Sequence, residues 1–470
     1  MTALGLALLI PWASGVLLLV LDGRRRVVGW FALVALVATA VSVVTVAAAV
    51  YAGGPVVVVT GDWPQGVGIT LRADALGVTF ALLSVAMLGI AAVHELLDGV
   101  REPEFFGLVL LLATGLIGAF LTGDLFNFYV FFELALVSSY VLAVGGRSAR
   151  GLGAGLVFAT VNLVGTFVFL LSVAGIYRVT GTLDMGRIAT RMADADPNAA
   201  ILIAVGFFVA FGVKLGLFPF HFWLPTVYAG SRPVVAAILS GSLANIGAYG
   251  LLRFGGELLP RELELAAGAL IVLGSASILY GGVLAVSRRT SSEMLAYSAI
   301  GQVGYVLVAV GIGGPVGFGA AVLYTIVNAL NKTMLFLTAQ QRGAIVGSIF
   351  AIGALSVAGV PPAAGFVGKL TMFQSVADSP VLIGLVLAGS LLSFVYVFQM
   401  YQHDHWRADD GPQRAGDGRR RADDQPRRSS RRAQAMPLVL AVVILAAGLW
   451  PEPLVAVSQA AASVLTGPSP

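Results

Sequence analysis

Apolar residues in this chain come in long unbroken blocks, not in the short alternating runs of a barrel strand or the striped pattern of a soluble helix. A membrane-spanning helix needs roughly 20 apolar residues. Stretches of that kind occur at about 2–21, 27–51, 74–94, 105–122, 125–145, 151–177, 199–226, 233–254, 263–287, 294–313, 315–341, 345–375, 381–402 and 436–455. Barrel strands would be about half as long and would alternate apolar with polar positions. The pattern therefore predicts an all-α integral membrane protein with about 14 transmembrane helices. Two of these segments carry helix breakers. The seventh has Lys214 followed by Pro219 and Pro225, and the twelfth has Pro361 and Pro362 followed by Lys369. Interrupted helices at corresponding places in two halves point to inverted repeats around an ion path near the membrane midplane.

Composition agrees with this reading. Hydrophobic residues are 58% of the chain and charged residues 11%, against about 25% charged in a soluble domain. The chain has no cysteine, which excludes disulfides, thiolate catalysis and Cys-ligated clusters. Four histidines without a clustered carboxylate motif suggest no metal centre, and nothing suggests a cofactor. Its 58 glycines are scattered over helical segments and read as close-packing positions. The first block, Met1 to Leu21, has no basic stretch before it and reads as a retained helix, not a cleaved signal.

Loop charges set the expected orientation. If Arg24, Arg25 and Arg26 are cytoplasmic, that side also carries Arg101, Arg147, Arg150, Arg232, Arg288, Arg289 and Arg342. It carries the stretch 403–435 as well, with nine arginines and six aspartates. This stretch reads as a solvated, disordered cytoplasmic loop, and the net charge of +4 is no sign of nucleic-acid binding. Both termini then lie outside.

The informative charges are the few inside the apolar blocks. Of 28 basic side chains only three are lysines, and Lys214, Lys332 and Lys369 all sit within candidate spans. A basic residue at the centre of a membrane helix costs about 2.5–3.5 kcal/mol on the insertion scale. Unlike arginine, a buried lysine can lose its proton, so this usage suggests titratable sites. Glu133 is the acidic counterpart, apolar on both sides, and a Glu133–Lys214 pair would offset the desolvation of each. Asp124 starts the same segment as either a cap or a relay group. His221 follows Pro219 and reads as a proton relay. Asn328 shares a face with Lys332 at four residues' distance, and His94 reads as a surface residue near a span end.

Five stretches make the chain resemble a known family: DLFNFYVFFELALVSSYVL (124–142), KLGLFPFHFWLPTVYAG (214–230), SGSLANIGAYGLLR (240–253), LAYSAIGQVGY (295–305) and GVPPAAGFVGK (359–369). They are similar to the antiporter-like membrane subunits of multisubunit Mrp-type cation/proton antiporters, which also occur in proton-pumping NADH:quinone oxidoreductase (complex I) and related hydrogenases. The resemblance implies two inverted five-helix repeats, spans 4–8 and 9–13, with helices 7 and 12 broken. It divides the chain into helices 1–3 (1–104), a first repeat (105–254), a second repeat (263–402), the loop 403–435, and helix 14 with its tail (436–470). By motif match it makes Glu133, Lys214, Lys332 and Lys369 the proton-translocating residues. Asn245 stands where the family usually has a lysine and Asn328 where it usually has a histidine. Water held by Ser240, Ser242, Asn245 and Tyr249 would be one way across that gap. The implied partners are other membrane subunits of a hetero-oligomeric antiporter, the lipid bilayer, protons, and Na+ or another monovalent cation. The implied location is a bacterial cell membrane. Two other readings stay open: a pumping subunit of a redox complex whose cofactors lie in partner chains, and an assembly scaffold with a degenerate channel.

Overall fold

The computed structural model describes residues 3–63, 68–145, 149–339, 341–406, 427–428 and 432–467. Among them, ten helices are long and apolar enough to cross a membrane, from Arg26–Gly53 to Pro380–Trp406. Ala435–Leu449 and Glu452–Thr466 are bent by 82° and make an eleventh if the pair counts as one span, and Ala3–Leu19, Phe105–Phe120 and Ala344–Ala358 are shorter apolar helices. Each apolar block in the sequence thus contains helix. Outside the helices, Val56–Val59 pairs antiparallel with Thr70–Ala73, Val56 opposite Ala73. Most of the 403–435 stretch lies outside the described residues.

Glycine sets the closest helix crossings. Pro260–Ser287 and Ser291–Ile312 cross at two glycine pairs. A Cβ on Gly281 would sit 2.3 Å from the Gly301 nitrogen, and one on Gly304 2.5 Å from the Gly274 carbonyl. No larger residue fits there, which is the packing role expected of small residues in membrane helices.

Both breaks fall where the prolines stand. Pro197–Leu215 ends at Gly216, whose φ of 64° is left-handed; the chain passes Pro219 and resumes as Trp223–Gly230. Ala344–Ala358 ends at Gly359, φ 82°, passes Pro361 and Pro362, and resumes as Ala364–Ser375. A left-handed glycine caps the last carbonyls, and the prolines prevent continuation. Lys214 occupies the last turn before the first break, Lys369 the second turn after the other.

Pro233–Leu258 is a continuous span, but its backbone widens into π turns at Leu239–Leu243 and Leu251–Leu258. It runs antiparallel to Ala75–Asp98, and ion pairs join the two near both ends. At one end Arg253 meets Asp74 at 2.6 Å and also pairs with Glu257, while Arg72 reaches Glu257 at 2.5 Å and Asp74 at 3.2 Å. At the other, Arg232 meets Glu95 at 2.6 Å and pairs with Glu102. The clamped positions are 21 residues apart on both sides, 74 to 95 and 232 to 253, or about 31 Å along the α-helical Ala75–Asp98 at 1.5 Å per residue. That is close to the thickness of a bilayer's hydrocarbon core.

Two expectations change. His94 is 5% exposed, so it is a core residue and not a surface one, because Ala75–Asp98 is surrounded by other helices along its length. The tail after residue 449 is a second helix. Pro451 and Pro453 turn the chain, and Ser458, Ala461, Ala462 and Leu465 then bury one face of Glu452–Thr466.

Candidate functional site

Lys214 is buried beside the first break. Its ammonium donates to the Asn162 carbonyl at 2.9 Å and to Thr166 Oγ1 at 2.7 Å, and stands 4.7 Å from the centre of the Phe132 ring. It lines a small cavity, roomy enough for about one water, shared with Phe158, Trp223, Leu239 and Leu243. Where the cavity meets the π turn of Pro233–Leu258, its wall is apolar.

The expected Glu133–Lys214 ion pair is absent. Glu133 acts on the ammonium electrostatically, but no contact joins them, and one carboxylate oxygen of Glu133 is buried without a hydrogen bond. Glu133 is half-buried, and the side chain of the same helix that lies against the ammonium is the fully buried Phe132 ring.

Asp124 is the N-cap of that helix, accepting from the Asn127 amide at 2.7 Å. Burial raises its pKa above the ordinary carboxylate value, with the Asn127 and Phe126 amides acting the other way. His221 packs against Phe218 and Tyr280, ring centroids 5.5 and 4.4 Å away, and its Nδ1 has no partner.

Lys332 is fully buried and donates to the Leu295 carbonyl at 3.2 Å and to Ser298 Oγ. Lys369 donates to Ser390 Oγ at 2.9 Å and lies over the Tyr305 ring at 5.2 Å. Neither forms an ion pair among the described residues. Asn328 does not hold Lys332; its side-chain oxygen is buried and unpartnered. The groups expected to carry water past Asn245 are mostly engaged already. Asn245 bonds to the Gly241 carbonyl of its own helix at 2.8 Å, Ser240 to Ala236 at 2.7 Å, and Tyr249 to the Phe120 carbonyl at 3.1 Å. Of the four, Ser242 alone keeps an unpartnered hydroxyl.

A family model described as NADH:quinone oxidoreductase/Mrp antiporter, TM, matches residues 122–395, more than half of the chain. The chain belongs to this family. It is 30% identical over 429 residues to an Na(+)/H(+) antiporter subunit of Alkalihalophilus pseudofirmus, covering 85% of this chain and 86% of that one. A chain in the structure of the Mrp complex from a Dietzia species superposes with a TM-score of 0.88 at 27% identity, covering 99% and 98% of the two chains. A chain of respiratory complex I from Thermus thermophilus shares the fold, with a TM-score of 0.82 at 24% identity and coverage of 99% and 100%.

The region matched to the NADH:quinone oxidoreductase/Mrp antiporter family contains Glu133 and all three lysines. It also contains polar residues that sequence reasoning passed over, Ser298, Gln302, Tyr324, Ser390 and Ser393, with Tyr396 one residue beyond its end. Only Gln302 carried a signal, as the one amide in the apolar run 295–312.

Proposed function

We propose that this chain is an ion-translocating subunit of a multisubunit monovalent cation (Na+)/proton antiporter in a bacterial cell membrane. Protons would move along a line of buried groups that includes Glu133, Lys214, Lys332 and Lys369. The observation that carries the reading is the state of the lysines. Each lies within the membrane-spanning body, and each is held by hydroxyl or carbonyl oxygens instead of a carboxylate. A buried ammonium without a counter-ion is poorly compensated, so its protonation can respond to a small change in its surroundings. The likeness to an Na(+)/H(+) antiporter subunit supports sodium as the cation and other membrane subunits as partners. Fourteen helices follow if the bent pair and the three shorter apolar helices each count as one span. Spans 4–8 and 9–13 then form the two inverted repeats, and the loop arginines put both termini outside.

The test is to isolate the native complex in mild detergent and identify the co-purifying chains. Small hydrophobic membrane proteins without cofactors are expected. Flavin- or iron–sulfur-containing partners would instead make the chain a piece of a redox-driven pump, a second reading favoured by the shared fold with complex I.

Asn245 offers a second test. It is 4% exposed at the waist of Pro233–Leu258, where a lysine would add a titratable group next to the Lys214 cavity, which Ala244 and Ile246 help to line. Asn245→Lys is expected to change the rate of cation-driven proton exchange in vesicles several-fold. An unchanged rate would mean that protons pass by another route.

A further inference from the structure

Lys332 and Lys369 stand at the two ends of a neutral polar cluster that four helices build between them. Next to Lys332, Ser298 lies beside the Tyr396 hydroxyl. Gln302 Nε2 donates to Tyr396 at 3.1 Å and toward Ser393 Oγ at 3.4 Å, and Gln302 Oε1 accepts from the Tyr324 hydroxyl at 2.5 Å. The Tyr324 ring packs 5.1 Å from that of Tyr305. The Tyr305 hydroxyl lies beside Ser390, the partner of Lys369, yet makes no well-formed hydrogen bond and is 1% exposed. A Cβ on Gly389 would come within 2.3 Å of that hydroxyl, so the absence of a side chain there makes room for it. Ser298, Gln302, Tyr305, Ser393 and Tyr396 line one closely packed crevice.

Polar groups at membrane depth are costly unless they partner one another. These partners come from helices far apart in sequence, and they fill the interval between two lysines that lack counter-ions. Gln302 is the centre of the cluster. Its amide is a donor on one side and an acceptor on the other, so it fixes which way both tyrosine hydroxyls face. A side-chain amide does not titrate near neutral pH, so Gln302 acts through its neighbours and is not a proton carrier.

We infer that Gln302 is the positioning residue of a hydroxyl bridge coupling Lys332 to Lys369, with Tyr396 and Tyr324 held by the amide and the unpartnered Tyr305 hydroxyl as its open contact. This rests on the ion-translocating reading above. The test uses the whole complex in inverted vesicles. Gln302→Met keeps the shape and removes both hydrogen bonds. Gln302→Glu keeps the shape and, when protonated, both hydrogen bonds. Tyr396→Phe removes one hydroxyl. Losing a buried hydrogen bond on the transport path corresponds to a rate loss of about tenfold. Gln302→Met and Tyr396→Phe are therefore expected to lower maximal exchange about tenfold with an unchanged KM for the cation and normal assembly, and Gln302→Glu to recover most of the rate. Wild-type exchange in both of the first two, or a Gln302→Glu protein as slow as Gln302→Met, would overturn the inference. Its failure is distinguishable from failure of the ion-translocating reading, which predicts that Lys214 and Lys332 variants are inactive whatever Gln302 does.

Discussion

Lys214→Ala is expected to abolish cation-driven proton movement in vesicles while the complex still assembles. Both halves of that expectation come from the lysine's surroundings. The ammonium leans on two oxygens that also pair with each other, Thr166 Oγ1 donating to the Asn162 carbonyl at 2.9 Å. Removing the lysine therefore leaves no newly unpaired donor, and the one charge that loses its compensation is the half-buried Glu133 carboxylate. Its chief structural cost is a cavity, of the order of 2–5 kcal/mol for a large-to-Ala change, partly offset because no ammonium has to be desolvated. Transport has no such reserve, since no other titratable side chain lines the cavity except Tyr228. Lys214→Met, which keeps the volume, separates the two effects and should be equally inactive. Normal exchange by Lys214→Met would end the case for this lysine as a proton carrier.

Arg253→Ala is expected to do the opposite, costing the fold before it touches the chemistry. Arg253 is 3% exposed and ties Asp74, Glu257 and the Tyr249 hydroxyl together, the last at 3.0 Å. Truncating one partner of a buried ion cluster costs about 3–5 kcal/mol, because the remaining charges stay buried and under-compensated. Arg72 still reaches both carboxylates and places the effect at the lower end. Burial of Asp74 disfavours its ionisation, but the Arg253 and Arg72 charges more than offset this and hold its pKa below the ordinary carboxylate value. That contribution is complete at neutral pH and is lost as the pH falls through the lowered pKa. The check is the yield of assembled complex and its thermal midpoint in detergent. Wild-type values for both would show that the cluster adds nothing to stability.

The spans were legible because a bilayer imposes a length, and the two breaks because glycine and proline leave a chemical mark at the residue where a helix stops. The three lysines stood out for a similar reason: a charge in hydrocarbon is rare enough to be read without knowing its neighbours. What the chain did not disclose was pairing. Glu133 and Lys214 look complementary in one dimension, yet the ammonium bonds to Asn162 and Thr166 and lies against the Phe132 ring. The Gln302 cluster was hidden differently. Serine and tyrosine are unremarked in membrane helices, and Gln302 finds Tyr396 across 94 residues. Arg253 and Asp74 meet across 179, a pairing that no local pattern announces. The C-terminal helix was the exception, since Pro451 and Pro453 mark its start openly enough to have been read.

The twin ion clamps on Pro233–Leu258 make that helix a gauge of fixed length. With Arg232 and Arg253 both seated, the number of residues between them is fixed as well as the ends. One added residue would swing Arg253 about 100° around the axis, away from Asp74, unless a turn widened to absorb it. A π turn does just that, taking up one residue without displacing the ends. The wide turn beside the Lys214 cavity is therefore a place where this helix can gain or lose winding while its two ends stay fixed.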